Sequence, residues 1–141
     1  MRAVLDTSVL VAAMRSQDGA SYQLLAHAAR RSLTILASPA LFLEYEEVLL
    51  RPSQIRAHGL TESQIHRILL ALAKLLEPVD IHYRWRPQLP DPADELVLDI
   101  AVNGRADALV THNRKHFVPV ERIFGIPVLT PGEMLRRLTH E

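Results

Sequence analysis

Ala3-Val4-Leu5-Asp6-Thr7-Ser8 is the stretch on which the fold turns. The apolar residues belong to a β-type run, Arg2–Leu5, that ends directly on a carboxylate followed by two hydroxyls. A charged side chain at the end of a buried strand is costly unless something pairs with it. Asp6 therefore either caps the next helix, accepting from its free N–H groups, or belongs to a site.

Working outward, further β-type runs appear at Leu33–Ala37, Pro78–His82, Ala108–Thr111 and Pro127–Leu129. Between them lie segments of helical period: Tyr22–Arg31, Ala40–Leu50, and a stripe of Ile65, Ile68, Leu69, Leu72 and Leu76. Ser38-Pro39, Asp91-Pro92 and Thr130-Pro131 each put a capping oxygen before a proline at the first helical position. Thr61-x-x-Gln64 and Thr130-x-x-Glu133 have the form of capping boxes. This alternation predicts an α/β fold, a three-layer α/β/α sandwich around a mostly parallel sheet of about five strands. The loop Tyr83–Pro90, with Arg84, Trp85 and Arg86, is the one segment without a clear pattern. In such sheets ligands bind beyond the carboxyl ends of the strands, where strand order switches.

At 141 residues the chain is expected to form a single domain over 1–141, large enough to bury a core without staples. It has no cysteine, which excludes a disulfide scaffold, a thiolate metal site and a cysteine nucleophile. The longest uncharged stretch, Ser32–Leu43, falls far short of the ~20 apolar residues of a membrane span. Asp6 interrupts the N-terminal apolar segment before a secretory core can form, so the expected compartment is the cytoplasm. With 16 basic and 16 acidic residues the net charge is zero, which argues against coating nucleic acid by bulk electrostatics. All the basic residues except Lys74 and Lys115 are Arg, a bias without functional weight on its own.

The acidic residues are placed less evenly. On a helix at 40–50, Leu41, Tyr45, Val48 and Leu49 make the apolar stripe; Glu44 lies at its edge, while Glu46 and Glu47 point away. In Asp91-Pro92-Ala93-Asp94-Glu95, Asp91 reads as an N-cap and Asp94 as the third helical residue. Asp94 nevertheless shares a face with Val97, Leu98 and Ala101 and so points toward the sheet, with Glu95 at the edge of that face and Asp99 turned away. After the fourth strand comes His112-Asn113-Arg114-Lys115-His116, where Asn113 is a candidate N-cap of a short helix. Each position has an ordinary structural explanation. A parallel α/β sheet, however, gathers all of them at one end. Carboxylates converging there repel one another and have raised pKa values unless a cation joins them. Hard oxygen donors, without cysteine or a His pair at ligand spacing, suit Mg²⁺ or Mn²⁺ rather than zinc. Such a site suits phosphodiester hydrolysis by metal-activated water.

The ordered set of Val4-Leu5-Asp6-Thr7-Ser8-Val9-Leu10, Ser38-Pro39 through Glu44, Asp91-Pro92-Ala93-Asp94-Glu95 and Ala106-Asp107-Ala108-Leu109-Val110-Thr111 resembles the PIN-domain nucleases. More narrowly it is similar to the VapC-like toxins of bacterial toxin–antitoxin systems. The resemblance implies a Mg²⁺-dependent endoribonuclease acting on RNA, with Mn²⁺ able to substitute, commonly a homodimer and neutralised by a cognate antitoxin. It maps the first metal-ligating aspartate onto Asp6 and the acidic residue after the second strand onto Glu44. The third falls on Asp94, with Asp91 and Glu95 as neighbours able to share the role. Thr7, Ser8 and Thr111 match polar positions lining family sites, and Asn113 and Arg114 would position phosphate.

The chain departs from the pattern at Asn113, where many relatives have Asp, and at His112 and His116. The expectation is one Mg²⁺ held mainly by Asp6 and Asp94, a further ion arriving with substrate, and surface histidines. A haloacid-dehalogenase-type phosphatase also opens with Asp after its first strand, but needs a second Asp where this chain has Ser8. The other alternative is a catalytically degenerate PIN fold serving as a binding module. The apolar helices at Tyr22–Arg31 and Ile65–Leu76 either cover the sheet or offer a surface to a partner.

Overall fold

The structure, a computed structural model, describes residues 1–84 and 89–140. Residues 85–88, with Trp85 and Arg86 of the irregular loop, and Glu141 lie outside the described residues. Strands β1 (Arg2–Leu5), β2 (Thr34–Ala37), β3 (Leu76–Pro78), β4 (Ala108–Val110) and β5 (Val128–Leu129) form one five-stranded sheet. Its order is β3-β2-β1-β4-β5, and each neighbouring pair is parallel. The helices are α1 (Thr7–Arg15), α2 (Ala20–Ala29), α3 (Pro39–Leu49), α4 (Pro52–His58), α5 (Glu62–Leu75), α6 (Pro92–Asn103), α7 (Val118–Phe124) and α8 (Pro131–Thr139). A short 3-10 turn covers Arg114–Phe117. Among the described residues no helix is long and apolar enough to cross a membrane.

The strands are short apolar runs because they are covered on both faces. Val4, Leu5, Ile35, Leu36, Leu109 and Val110 are all fully buried. Chain order explains how the faces are covered. The path steps outward from β1 to β2 to β3, then returns past β1 to β4 and β5. Right-handed crossovers then put α1, α2 and α5 on one face and α6 on the other. Gly104, just past α6, permits its close approach: a Cβ there would lie 2.8 Å from the Ile100 carbonyl and 3.1 Å from Leu36.

The helices start where the local chemistry dictates. Ser38 accepts from the Leu41 N–H, Asp91 accepts from the Ala93 N–H, and Thr61–Gln64 and Thr130–Glu133 form reciprocal capping boxes. Leu41, Tyr45, Val48 and Leu49 are the buried side of α3. Two expectations need correction. The third strand is Leu76–Pro78, not 78–82, because the apolar residue that ends the helical stripe, Leu76, already pairs with Ile35. Ladder bonding ends with the Val79 N–H on the Ala37 carbonyl; His82 and Tyr83 then donate to the Asn103 side chain instead. Asp99, which the helical period turns away from the Asp94 face, is nevertheless buried, so burial of α6 extends beyond that face.

Tyr45 fastens α3 to the functional end of β1. Its ring is buried and its hydroxyl donates to the Leu5 carbonyl at 2.5 Å. Burial, and secondly the nearby Asp6 charge, push the phenol pKa upward, so the group stays a donor. Tyr45→Phe keeps the ring but leaves that carbonyl without its phenolic donor. Urea unfolding of this variant is expected to fall short of wild type by about 1–2 kcal/mol.

Candidate active site

Strand order switches beside β1: β2 lies on one side, and β4, reached only after β3 and α6, on the other. The crevice beyond the carboxyl ends of β1 and β4 is the position where an open α/β sheet binds ligands. Asp6 follows β1 and Thr111 follows β4. The Asp6 N–H donates to the Val110 carbonyl at 2.9 Å, so the ladder itself fixes where the Asp6 side chain starts.

Asp6 is the N-cap residue of α1 by backbone position, but its carboxylate makes no capping bond. Oδ2 instead accepts from the Ser8 hydroxyl at 2.7 Å and from the buried Thr111 hydroxyl at 2.8 Å. Among the described residues no hydrogen bond reaches Oδ1. Ser8 in turn accepts from the His112 N–H at 3.2 Å, and Thr111 Oγ1 accepts from the Asn113 N–H at 2.9 Å. Two hydroxyls thus orient the carboxylate without neutralising it.

The cleft above Asp6 has a volume of about 510 Å³. Asp6, Thr7, Ser8, Glu44, Asp91, Asp94, Asn113, Arg15, His112 and His116 are among the residues that line it. Asp94 is buried, on the helical face it shares with Val97, Leu98 and Ala101. Its carboxyl pKa is pushed up to about 6, first by burial and then by the charges of Asp6 and Asp91; His116 opposes the shift from 3.5 Å. Glu44 is raised as well, by burial first and then Glu47, with Asp91 and Asp6 adding and Arg51 opposing. At both groups burial is the larger cause, and the neighbouring carboxylates add to it.

Glu95 and Arg114 do not line this cleft, and Thr111, fully buried, reaches it only through its bond to Asp6. Glu95 is buried and accepts from the Leu89 N–H at 3.5 Å. Arg114 reaches Glu133 at 3.3 Å and, with Lys115, lines an adjoining cavity that shares His112, Asn113 and His116 with the cleft. Asn113 precedes the 3-10 turn without capping it through its side chain. Conversely, the cleft includes Arg15, which sequence reasoning passed over, and the two histidines it expected only at the surface. His112 and His116 are exposed, yet His116 faces Asp94 and His112 Nε2 lies 3.1 Å from the Ser21 hydroxyl. Arg15 was legible: Ser8, Val11, Ala12 and Arg15 lie at helical spacing and all line the cleft.

The donor set is oxygen-rich and suits a hard divalent cation. Among the described residues no three Asp, Glu or His side chains stand close enough to enclose an ion by themselves. Mg²⁺ fits this arrangement, since it keeps several waters and takes only one or two carboxylates directly. Asp6, whose Oδ1 accepts no hydrogen bond among the described residues, and the buried Asp94 could serve as such donors.

The sequence model of the PIN domain matches residues 2–115. In solved structures, one chain of VapBC2 from Rickettsia felis, crystallised bound to a DNA fragment from their promoter, is similar to this fold with a TM-score of 0.63. It is 20% identical, and the match covers 92% of this chain and 98% of that one. No curated protein matches the sequence.

The raised Asp94 pKa fixes the sign of a stability effect. The folded chain binds this proton more tightly than the unfolded chain, so the stabilisation is present at acid pH and is lost as pH rises through about 6. Without divalent metal, Asp94→Asn is therefore expected to melt above wild type at about pH 8, by roughly 1–2 kcal/mol in stability. Calorimetry should show the gap closing as pH falls below about 6. An Asn variant melting below wild type at every pH contradicts the crowding.

Proposed function

The chain belongs to the PIN-domain family, and on that footing we propose that it is a divalent-metal-dependent endoribonuclease. In this reading residues 1–141 are a single nuclease domain that hydrolyses RNA phosphodiester bonds, as the VapC-like toxin of a toxin–antitoxin pair in the cytoplasm. The observation that carries it is the cleft beside β1 and β4, where Asp6, Asp94, Asp91 and Glu44 line one volume and Asp94 is driven up to about 6.

Asp6 and Asp94 would hold Mg²⁺ or Mn²⁺, with Glu44 contributing directly or through water and Asp91 at the rim. The bound cation would balance the crowded carboxylates, activate water and stabilise charge on the phosphate. Ser8 and Thr111 hold Asp6 through Oδ2, and Asp6 lines the cleft. Thr7 and Asn113 line the same volume, where a hydroxyl and an amide can bond phosphate oxygens.

For partners, we read the apolar groove between α1, α2 and α5 as the seat of a cognate antitoxin. It has a volume of about 340 Å³ and is lined by Leu10, Met14, Tyr22, Leu25, Leu69 and Leu72 among others. The likeness to VapBC2 supports this choice of partner, and a homodimer accompanies it. The alternative is a degenerate binding module; its support is Asn113, an uncharged amide on the cleft wall.

Cleavage of a single-stranded RNA decides between the two. Wild type should cleave with Mg²⁺ or Mn²⁺ and stop with EDTA, and Asp6→Asn and Asp94→Asn should each lose about two orders of magnitude or more while staying folded. Undiminished activity in both variants removes the mechanism; no metal-dependent cleavage by wild type selects the binding module.

A further inference from the structure

Arg15 stands at the end of α1, two helical turns from Ser8, on the wall of the carboxylate cleft. Its Nη2 donates to Oε1 of the half-buried Gln54 on α4 at 2.9 Å. Among the described residues no carboxylate comes within ion-pair distance of Arg15, although Glu44, Asp91 and Asp94 line the same cleft. Other arginines of the described residues do pair with carboxylates: Arg2 with Glu77, Arg51 with Glu47, and Arg114 with Glu133. A neutral amide oxygen therefore orients this exposed guanidinium while leaving its charge intact, on a side chain that lines the cleft. This is how a fork for an anion is prepared: one donor fixes the plane and the others wait.

We propose that Arg15 is the substrate-phosphate anchor of the cleft and that Gln54 is its positioning residue. The anchor takes a backbone phosphate of single-stranded RNA next to the bond that is cut. This role was expected at Arg114, but Arg114 is committed to Glu133 outside the cleft. The inference rests on the ribonuclease reading and adds to it a residue from the last turn of α1. The net charge of the chain is zero, so bulk charge gives RNA no general attraction. One oriented arginine at the rim supplies attraction locally, where the carboxylates otherwise repel the backbone.

The test combines binding of a short fluorescent single-stranded RNA in EDTA, measured by anisotropy at several salt concentrations, with steady-state cleavage in Mg²⁺. Arg15→Ala should weaken binding and raise KM about tenfold, with kcat within a few-fold of wild type. It should also lower the slope of log Kd against log salt by about 0.7, the share of one phosphate on a single strand. Arg15→Lys should keep the slope and lose part of the affinity; Gln54→Leu should raise KM with the slope unchanged. Arg67→Ala, which removes a charge from the exposed side of α5, should match wild type. If Arg15 merely bolts α1 to α4, Arg15→Ala and Gln54→Leu lower the melting temperature equally while KM and salt slope stay put, and the proposal is overturned. If Asp6→Asn abolishes cleavage but Arg15→Ala binds as wild type, this inference alone falls. If wild type neither binds nor cleaves RNA, the ribonuclease reading falls with it.

Discussion

Like-charge crowding between Asp6 and Asp94 is the constraint around which this molecule is arranged. One carboxylate is delivered by the end of β1 and the other by the first turn of α6, and the backbone leaves neither free to move away. The sheet bonds the Asp6 N–H, Ser8 and Thr111 fix Oδ2, and Tyr45 holds the Leu5 carbonyl immediately before it. Asp94 is held by the burial of Val97, Leu98 and Ala101 on its own face. Packing therefore enforces a repulsion that a solvated surface would relax. Proteins commonly accept such strain where function needs it.

The topology explains why the crowding falls where it does. Only where the path reverses do the ends of two adjacent strands open a crevice with helices diverging from it. Asp6 and Thr111 sit at the ends of the two central strands concerned, and α3 and α6 bring Glu44 and Asp94 to the same side. The opposite end of the sheet is built differently. There Arg2 binds Glu77 and the Gly104 carbonyl, and its N–H donates to Asp107. The Arg2 charge there is paired with Glu77, whereas Asp6, Glu44, Asp91 and Asp94 share the cleft at the other end.

Much of this was legible in the residues. The strand-ending Asp6, the proline-marked helix starts and the face shared by Asp94 and Val97 all depend on local period and capping, which a sequence displays directly. The third strand was misplaced because Leu75 and Leu76 continue a helical stripe, and only pairing with Ile35 converts Leu76 into strand. Helix α4 carries no capping side chain and buries no residue; its only marks were Pro52 at its start and the left-handed Gly59 just past its end. Gln54 had no pattern to find, because its meeting with Arg15 spans 39 positions in sequence. Arg114 was an obvious choice by proximity to Asn113, but the 3-10 turn carries it toward Glu133. Side-chain direction at a chain reversal is set by tertiary contacts, not by neighbours in sequence.

The account stands or falls on whether these carboxylates take up a divalent ion together. Calorimetric titration of the purified chain with Mn²⁺ near pH 6, repeated in buffers of different ionisation enthalpy, measures this directly. Binding with release of a fractional proton, lost in Asp6→Asn, is the predicted result, because Asp94 must give up its proton to ligate. Absence of binding, or binding of the same strength and proton count in Asp6→Asn, would contradict it.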